Sequence, residues 1–308
     1  MNSMKQIAGK LMLLGIVLCV KAAAQTADSV HTLGGVQVRA YESRSRLATL
    51  PAAVNLIRPQ VLQRFSPASV VQAINTTPGV RMEERSPGSY RLNIRGSSLR
   101  SPFGVRNVKI YYNDIPITDP TGFTYLNALG YYNFGQMEII KGPGSSLYGG
   151  GTGGVMLIQS MPDKDSGAIV GEYTAGSYGL QGLYAGLHTA TGSFQGRTAI
   201  QQLKSEGYRE HSALDRTVFS WSGVLQGKGQ SLRASFFYSD LQYETPGALN
   251  STEYAQNRRA SRPAAGALPS AVGAGARIFQ KTAVAGLSYQ RAWTGRLQSK
   301  TTVYGMAT

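Results

Sequence analysis

Between Met137 and Gln159 the chain reads Met-Glu-Ile-Ile-Lys-Gly-Pro-Gly-Ser-Ser-Leu-Tyr-Gly-Gly-Gly-Thr-Gly-Gly-Val-Met-Leu-Ile-Gln. These are two short apolar strand-like runs joined by a turn so rich in glycine that backbone must pack against backbone. Glycine beside a strand marks a bulge, a tight bend or a close backbone approach. The cluster does not read as a phosphate cradle. A P-loop needs Lys followed by Ser or Thr at the end of its glycine run, where Val155 stands, and a dinucleotide fingerprint needs a third Gly where Leu147 stands. The segment predicts a compact domain threaded with loops.

The first 24 residues carry Lys5 and Lys10, an apolar run from Leu11 to Val20 and then Ala22-Ala-Ala24. This is the pattern of a signal peptide with a cleavage site before Gln25. Ten apolar residues are too few for a spanning helix, which needs about 20. Cleavage would remove Cys19, the one cysteine among 308 residues, which is neutral for compartment because an oxidising space permits disulfides without requiring them.

Residues 25–46 are polar, short and without a core of their own, so a mobile segment is expected. Inside it, Leu33-Gly-Gly-Val-Gln-Val-Arg-Ala40 has the alternating valines of a solitary strand. From 47 to 161 short strands alternate with one or two short helices, as in a small α+β domain. Strands are expected at Val54–Ile57, Val80–Glu83, Tyr90–Arg95, Val108–Tyr112 and Met137–Ile140. A helix is expected over Ser66–Ile74, with Ser66 as N-cap, Pro67 at N1 and Val70, Val71 and Ile74 on its buried face.

From 166 to 308 helix signals vanish, and runs of about ten residues alternate in polarity between Gly, Ser and Asp. Leu232, Ala234, Phe236 and Tyr238 alternate with Arg233, Ser235, Phe237 and Ser239; Ala283, Ala285, Leu287 and Tyr289 alternate with Val284, Gly286, Ser288 and Gln290. One face can meet lipid and the other a wet lumen, with Trp221, Tyr243 and Trp293 near the membrane interfaces. Period two alone also fits a soluble antiparallel sheet. The mean hydropathy of -0.17 argues against a helical membrane bundle but not against a barrel, whose strands dilute their apolar residues with polar ones.

Leu92-Asn-Ile-Arg-Gly96, Val108-Lys-Ile-Tyr-Tyr-Asn-Asp-Ile-Pro-Ile117 and the glycine-rich segment, in this order, resemble the plug domain of TonB-dependent outer-membrane receptors. Pro78-Gly-Val80 stands where that family has the same triplet after a plug helix. The resemblance implies an α+β plug domain followed by the first strands of a transmembrane antiparallel β-barrel. About seven candidate strands follow Ser166, whereas transporters with a plugged lumen have 22, so the chain is expected to be a fragment of a 22-stranded barrel. It also implies an importer of the bacterial outer membrane, with no catalytic residue, resident metal or cofactor. Energy would come from the inner-membrane TonB complex, and the outer surface would contact lipid and lipopolysaccharide.

The resemblance further implies residue roles. Gly35, Val36, Gln37, Val38 and Arg39 would form the TonB box, an extended segment offering main-chain hydrogen bonds to a partner's sheet edge; read alone, the run is equally an ordinary first strand. Arg95 would latch the plug to barrel acids, with Lys141 where the family has arginine, so a charge is kept and a two-pronged donor lost. Thr245-Pro-Gly-Ala-Leu-Asn250, continuing to Arg262-Pro263, and Gly207-Tyr-Arg-Glu-His-Ser212 look like segments of ferric-citrate-type receptors. The implied ligand is an anionic ferric chelate of the siderophore or citrate kind, with cobalamin and saccharide as alternatives. Arg85, Arg100, Arg258, Arg259 and Arg262 are then candidate contacts, because arginine grips carboxylate or catecholate oxygens in pairs and stays charged.

Other function classes have little support. The net charge of +15 is spread along the chain with no helix-turn-helix, RNP or zinc-finger pattern, so no nucleic-acid partner is expected; a basic funnel that gathers anions and contacts with anionic lipopolysaccharide account for it equally. His31, His188 and His211 show no HExxH spacing and no G-x-S-x-G occurs. A structural or adhesin barrel would keep the strands but lack the plug motifs.

Overall fold

The computed structural model describes residues 37–42, 45–47, 50, 52–97, 104–160, 167–295 and 297–308. The expected leader, Gly35, Val36 and Arg100 lie outside the described residues. A two-residue ladder, β1 (Gln37–Val38) with β2 (Ser45–Arg46), opens the described chain. It is followed by β3 (Val54–Ile57), α1 (Pro59–Leu62), α2 (Val71–Asn75) and the hairpin β4 (Val80–Ser86) with β5 (Ser89–Ile94). Next come β6 (Val108–Tyr112), β7 (Ile115–Pro116), β8 (Gln136–Lys141), α3 (Ser145–Tyr148) and β9 (Gly154–Gln159).

The two apolar runs of the glycine-rich segment pair antiparallel as β8 and β9, and β6 adds to β9 in parallel, giving a five-stranded sheet in the order β3-β8-β9-β6-β7. The glycines serve close approach: at Gly154, with φ of 149°, a Cβ would lie 2.2 Å from the Ile140 carbonyl oxygen. No side chain fits there.

The helix expected at Ser66 begins five residues later. Ser66 Oγ accepts from the Ala68 N–H and closes a local turn, the competing use of a short hydroxyl side chain. Val70 and Ile74 are buried as expected, Val71 is only half-buried, and Ala73 takes the remaining place on the buried face. Neither α1 nor α3 was read from the sequence; Pro59 at the first position of α1 is a legible start signal.

Seven strands follow: β10 (Ala168–Gly176), β11 (Leu180–Thr191), β12 (Phe194–Ser205), β13 (Leu214–Gly227), β14 (Gln230–Glu244), β15 (Arg277–Ala292) and β16 (Gln298–Ala307). They form one antiparallel meander in sequence order. Cross-strand register puts Tyr184, Gln201, Val218 and Ser239 on one face, and Leu187, Thr198, Trp221, Phe236 and Ala285 on the other. The first face packs on the plug: Phe237 and Val284 belong to its core, with the Tyr112 ring edge-on to Phe237 at 5.6 Å. The second face is a band of exposed apolar side chains, from Ile169 at 87% exposure through Leu187, Ile200 and Phe219. A soluble sheet would cover such a band; a barrel wall turns it to lipid. Tyr243 departs from the expectation: parity turns it inward, buried, with its ring over Gly88 of the plug.

The connections distinguish the two ends. The connections at 192–193, 228–229 and between β15 and β16 are short and lie at one end, whereas 177–179, 206–213 and 245–276 include the long connections at the other. Outer-membrane barrels keep short turns periplasmic and long loops extracellular, which orients the sheet.

Candidate functional site: the two faces of the plug

At the short-turn end, residues 37–42 are fastened to the plug. Val38 and Ala40 are 1% and 0% exposed, in a cluster with Val54, Ile140, Tyr148 and Val155. The Arg39 N–H donates to both carboxylate oxygens of Glu138, at 3.0 and 2.8 Å, and the Tyr41 N–H donates to the Tyr148 hydroxyl at 2.8 Å. Burial raises the Glu138 pKa, and the Arg39 and Ala40 N–H groups partly offset this. Within the segment expected to be mobile, residues 37–42 are therefore held, because two alternating side chains find a pocket and the amides find a buried carboxylate. Of the expected box residues, Gln37 and Val38 lie in β1, and Arg39 follows directly.

A charge cluster joins this segment to the barrel wall. Lys300 of β16 donates to Asp114 at 2.8 Å and to Glu42 at 2.9 Å, and Arg233 of β14 lies 3.5 Å from Asp114. Burial works against the Asp114 carboxylate, but Lys300 and Arg233 outweigh it and hold its pKa below the ordinary value. Sequence reading missed Glu138, Asp114 and Lys300. The one available signal was Glu138 inside the apolar run Met-Glu-Ile-Ile, since a charge in a buried strand requires partners.

The two residues expected to latch the plug lie at its 78–79 turn. The Lys141 ammonium donates to the Pro78 carbonyl, and the Arg95 N–H donates to Gly79 O at 2.9 Å. Both residues thus engage the plug's own 78–79 turn, and burial together with the Arg95 charge lowers the Lys141 pKa. Among the described residues Arg95 makes no ion pair with an acid of the strands. Two wall arginines add further ties between wall and plug. Buried Arg197 donates to Asn133 Oδ1 at 3.0 Å and to Tyr132 O at 2.7 Å, while Arg216 donates to Asn127 O at 3.2 Å. Ser220 Oγ adds a bond to Asn133 at 2.9 Å, and the Tyr132 and Tyr184 rings stack at 3.9 Å.

At the long-loop end, the two connections said to look like ferric-citrate-type receptor segments interlock. Arg209 donates to Ala260 O through two nitrogens, at 3.0 and 2.8 Å, and to Gly247 O at 2.8 Å. Arg259 donates to Tyr208 O at 3.1 Å with its guanidinium near the Tyr178 and Tyr208 rings. Arg262 donates to Pro263 O at 3.3 Å and Pro269 O at 2.8 Å. Arg259 and Arg262 are thereby engaged in loop architecture. Arg258 lies over the Tyr254 ring at 5.5 Å, beside the short helix α4 (Ser251–Gln256). That helix departs from the expectation that helix signals vanish after 166: it starts on a reciprocal capping box between Asn250 and Glu253, an Asn-x-x-Glu start signal that alternation does not reveal. Arg85 is exposed on the β4–β5 hairpin, at this same end. Inward from these loops, a cavity of about 200 Å³ opens between the plug and the outer ends of β14 and β15.

The family model for the TonB-dependent Receptor Plug Domain matches residues 46–155. Among solved structures, the unliganded ferric citrate transporter FecA aligns at 18% identity and a TM-score of 0.69, covering 89% of this chain and 42% of that one. The ferric-catecholate import receptor Fiu of E. coli K12 aligns at 16% and 0.61, covering 84% and 39%. The siderophore receptor PiuA of Acinetobacter baumannii aligns at 17% and 0.59, covering 85% and 37%. The chain therefore spans less than half the length of these structures. The match is to a receptor plug rather than to a catalytic domain, and the lipid-facing band belongs to a fold of the bacterial outer membrane. Residues 46–155 match the TonB-dependent receptor plug domain, and the chain shares with these structures the fold of a plug seated against a wall of antiparallel strands, seven of them here.

Proposed function

We propose that the intact protein imports a ferric chelate of the siderophore kind across the outer membrane, with energy transduced by a TonB-type complex. The observation that carries this is the two-faced plug: an N-terminal extended segment clasped at the short-turn end, and a cavity between plug and wall at the long-loop end. A ligand at one face can act on the other only through differential affinity for two plug states. Gly35, Val36, Gln37, Val38 and Arg39 are proposed as the segment the complex grips, by strand addition. Arg85, Arg100 and Arg258 remain proposed contacts for an anionic ligand. The structural neighbours FecA and Fiu, named for ferric citrate and ferric catecholate, support a ferric cargo.

The test is radiolabelled iron uptake, as ferric citrate and as a siderophore panel, in iron-starved cells with and without the gene. Loss of uptake of one chelate on deletion is the expected result. Equal uptake across the panel, with the protein present in the membrane, would discard iron and bring cobalamin or a saccharide forward. Val36→Pro, which removes a backbone donor, should abolish uptake and spare ligand binding; undiminished uptake would refute the assignment of the gripped segment.

A further inference from the structure

The outward face of the wall treats its charges differently at its two ends. Toward the long loops they pair across neighbouring strands: Lys204 lies 3.1 Å from Asp215, Lys281 3.6 Å from Asp240 and Arg277 3.3 Å from Glu244. Each pair occupies directly opposed positions in the ladder, so opposite charges compensate each other within the wall. At the short-turn end Arg291 of β15 shares the parity of Ala285 and so stands on the same face, exposed. Among the described residues it makes no ion pair with an acid. A second exposed cation, Lys228, sits in the adjoining 228–229 turn, where Gly229 O accepts from the Ala292 N–H at 2.7 Å.

Arg291 has a built platform. Its guanidinium lies 4.1 Å from the centre of the Trp293 ring. Trp293 Nε1–H donates at 3.0 Å to the hydroxyl of Ser299, the residue opposite Arg291 on β16, and the Trp293 N–H donates to Leu297 O at 2.8 Å. These two bonds lay the indole back along the outward face. On the other flank, Gln230 stands opposite Arg291 on β14 and its Oε1 accepts from the Tyr289 hydroxyl at 2.8 Å, which leaves the amide NH2 to donate. A guanidinium stacked flat on an indole keeps its edge N–H groups for the paired oxygens of a phosphate. Beyond this rim, exposed Leu287 and Val303 continue the face into the apolar band.

We infer that Arg291, Trp293 and Gln230 form a headgroup site for an anionic phospholipid of the periplasmic leaflet. Indole and phenol rings settle at headgroup level, and the short turns place this rim on the periplasmic side. A cation without a carboxylate there takes its counter-anion from the membrane. A phosphatidylglycerol phosphodiester supplies a net negative charge, whereas a zwitterionic headgroup brings its own cation along. Lipopolysaccharide meets the other end, where the wall's charges already neutralise one another.

The experiment is native mass spectrometry of the intact receptor in detergent, equilibrated with an equimolar mixture of dioleoyl phosphatidylglycerol and dioleoyl phosphatidylethanolamine. The unmodified protein should retain one phosphatidylglycerol more than Arg291→Gln, whose affinity for that lipid should fall about fivefold or more. Trp293→Leu, which keeps the charge and removes its platform, should weaken retention about threefold. Arg277→Gln, which removes a paired cation at the opposite end, should leave the count unchanged. Equal phosphatidylglycerol counts in the unmodified protein and Arg291→Gln overturn the site, as does an equal loss in Arg277→Gln. Phosphatidylethanolamine or co-purified lipopolysaccharide held through Arg291 in its place overturns the assigned headgroup. Iron uptake enters neither arm, so the result stands apart from the import reading.

Discussion

Glu138 and Arg39, 99 residues apart in sequence, are joined through one backbone amide: the Arg39 N–H donates to both oxygens of a carboxylate that is 1% exposed. A buried charged acceptor with an N–H donor is worth more than a neutral pair, about 1.5–3 kcal/mol. This bond fastens the front of the plug at the short-turn end. Replacing Glu138 with Ala should raise amide exchange at residues 38–41 by about tenfold or more in the full receptor, while β8 and β9 stay protected. Unchanged exchange at Arg39 would mean that apolar burial of Val38 and Ala40 alone holds the segment.

Asp114 should make the seam between plug and wall acid-sensitive. Its pKa is held below the ordinary value of 3.8. A depressed carboxylate contributes stability that is present above the unfolded pKa and lost as pH falls through the lower folded one. The Lys300 and Arg233 ties should therefore hold at pH 7 and weaken only below about 3.8. Asp114→Asn should cost about 1 kcal/mol at neutral pH, a figure kept small because the groups are partly solvated, and should flatten the acid limb. Thermal melts of both proteins between pH 3 and 7 would show it.

Arg197 is the wall residue on which the 131–134 turn depends. Arg197→Met keeps much of the buried stem and removes the donors to Asn133 and Tyr132, leaving the Tyr132 carbonyl short of a partner at a cost of about 1.5–3 kcal/mol. The urea midpoint for plug release should fall, with exchange rising first at residues 131–134. Arg95→Met should leave those amides unchanged, since the Arg95 bond to Gly79 is a backbone one that Met retains and lies at the 78–79 turn.

The lipid-facing assignment separates two neighbours on one strand. Ile200 faces outward at 47% exposure, whereas Gln201 faces the plug. Ile200→Arg should cost about 2–4 kcal/mol in the membrane and lower the amount of heat-resistant barrel. Gln201→Arg would instead disturb the Tyr132 N–H, which Gln201 Oε1 accepts at 3.2 Å, and should perturb the plug. Equal assembly defects in the two variants would contradict the register.

Much of this architecture is local and was therefore legible. Alternation along β14 and β15 names the lipid face because successive strand residues point to opposite sides, and the glycines of 149–154 announce close backbone approach because no other residue permits it. Leu56 and its neighbours in β3 were expected over the same span that the structure gives, since the run is short, apolar and bounded by turn signals. The Ser66 helix start was misplaced because the hydroxyl had two local uses and the turn took it.

What only the tertiary structure decided is which polar group meets which. Arg258, Arg259 and Arg262 are equivalent in sequence, yet two of them are engaged by loop carbonyls that fold back from residues 208, 263 and 269. Glu138 gains its role from an amide far away in the chain, and Tyr243 gains its inward place from the parity of a strand whose register is set by its neighbours. The sequence by itself determined the strands, the glycine-bound plug and the two faces of the wall, because those depend on short-range sterics and period. The tertiary structure determined the clasp, the wall-to-plug ties and the cavity between plug and wall, because hydrogen bonds and ring contacts are chosen by position in space, to which spacing along the chain is blind.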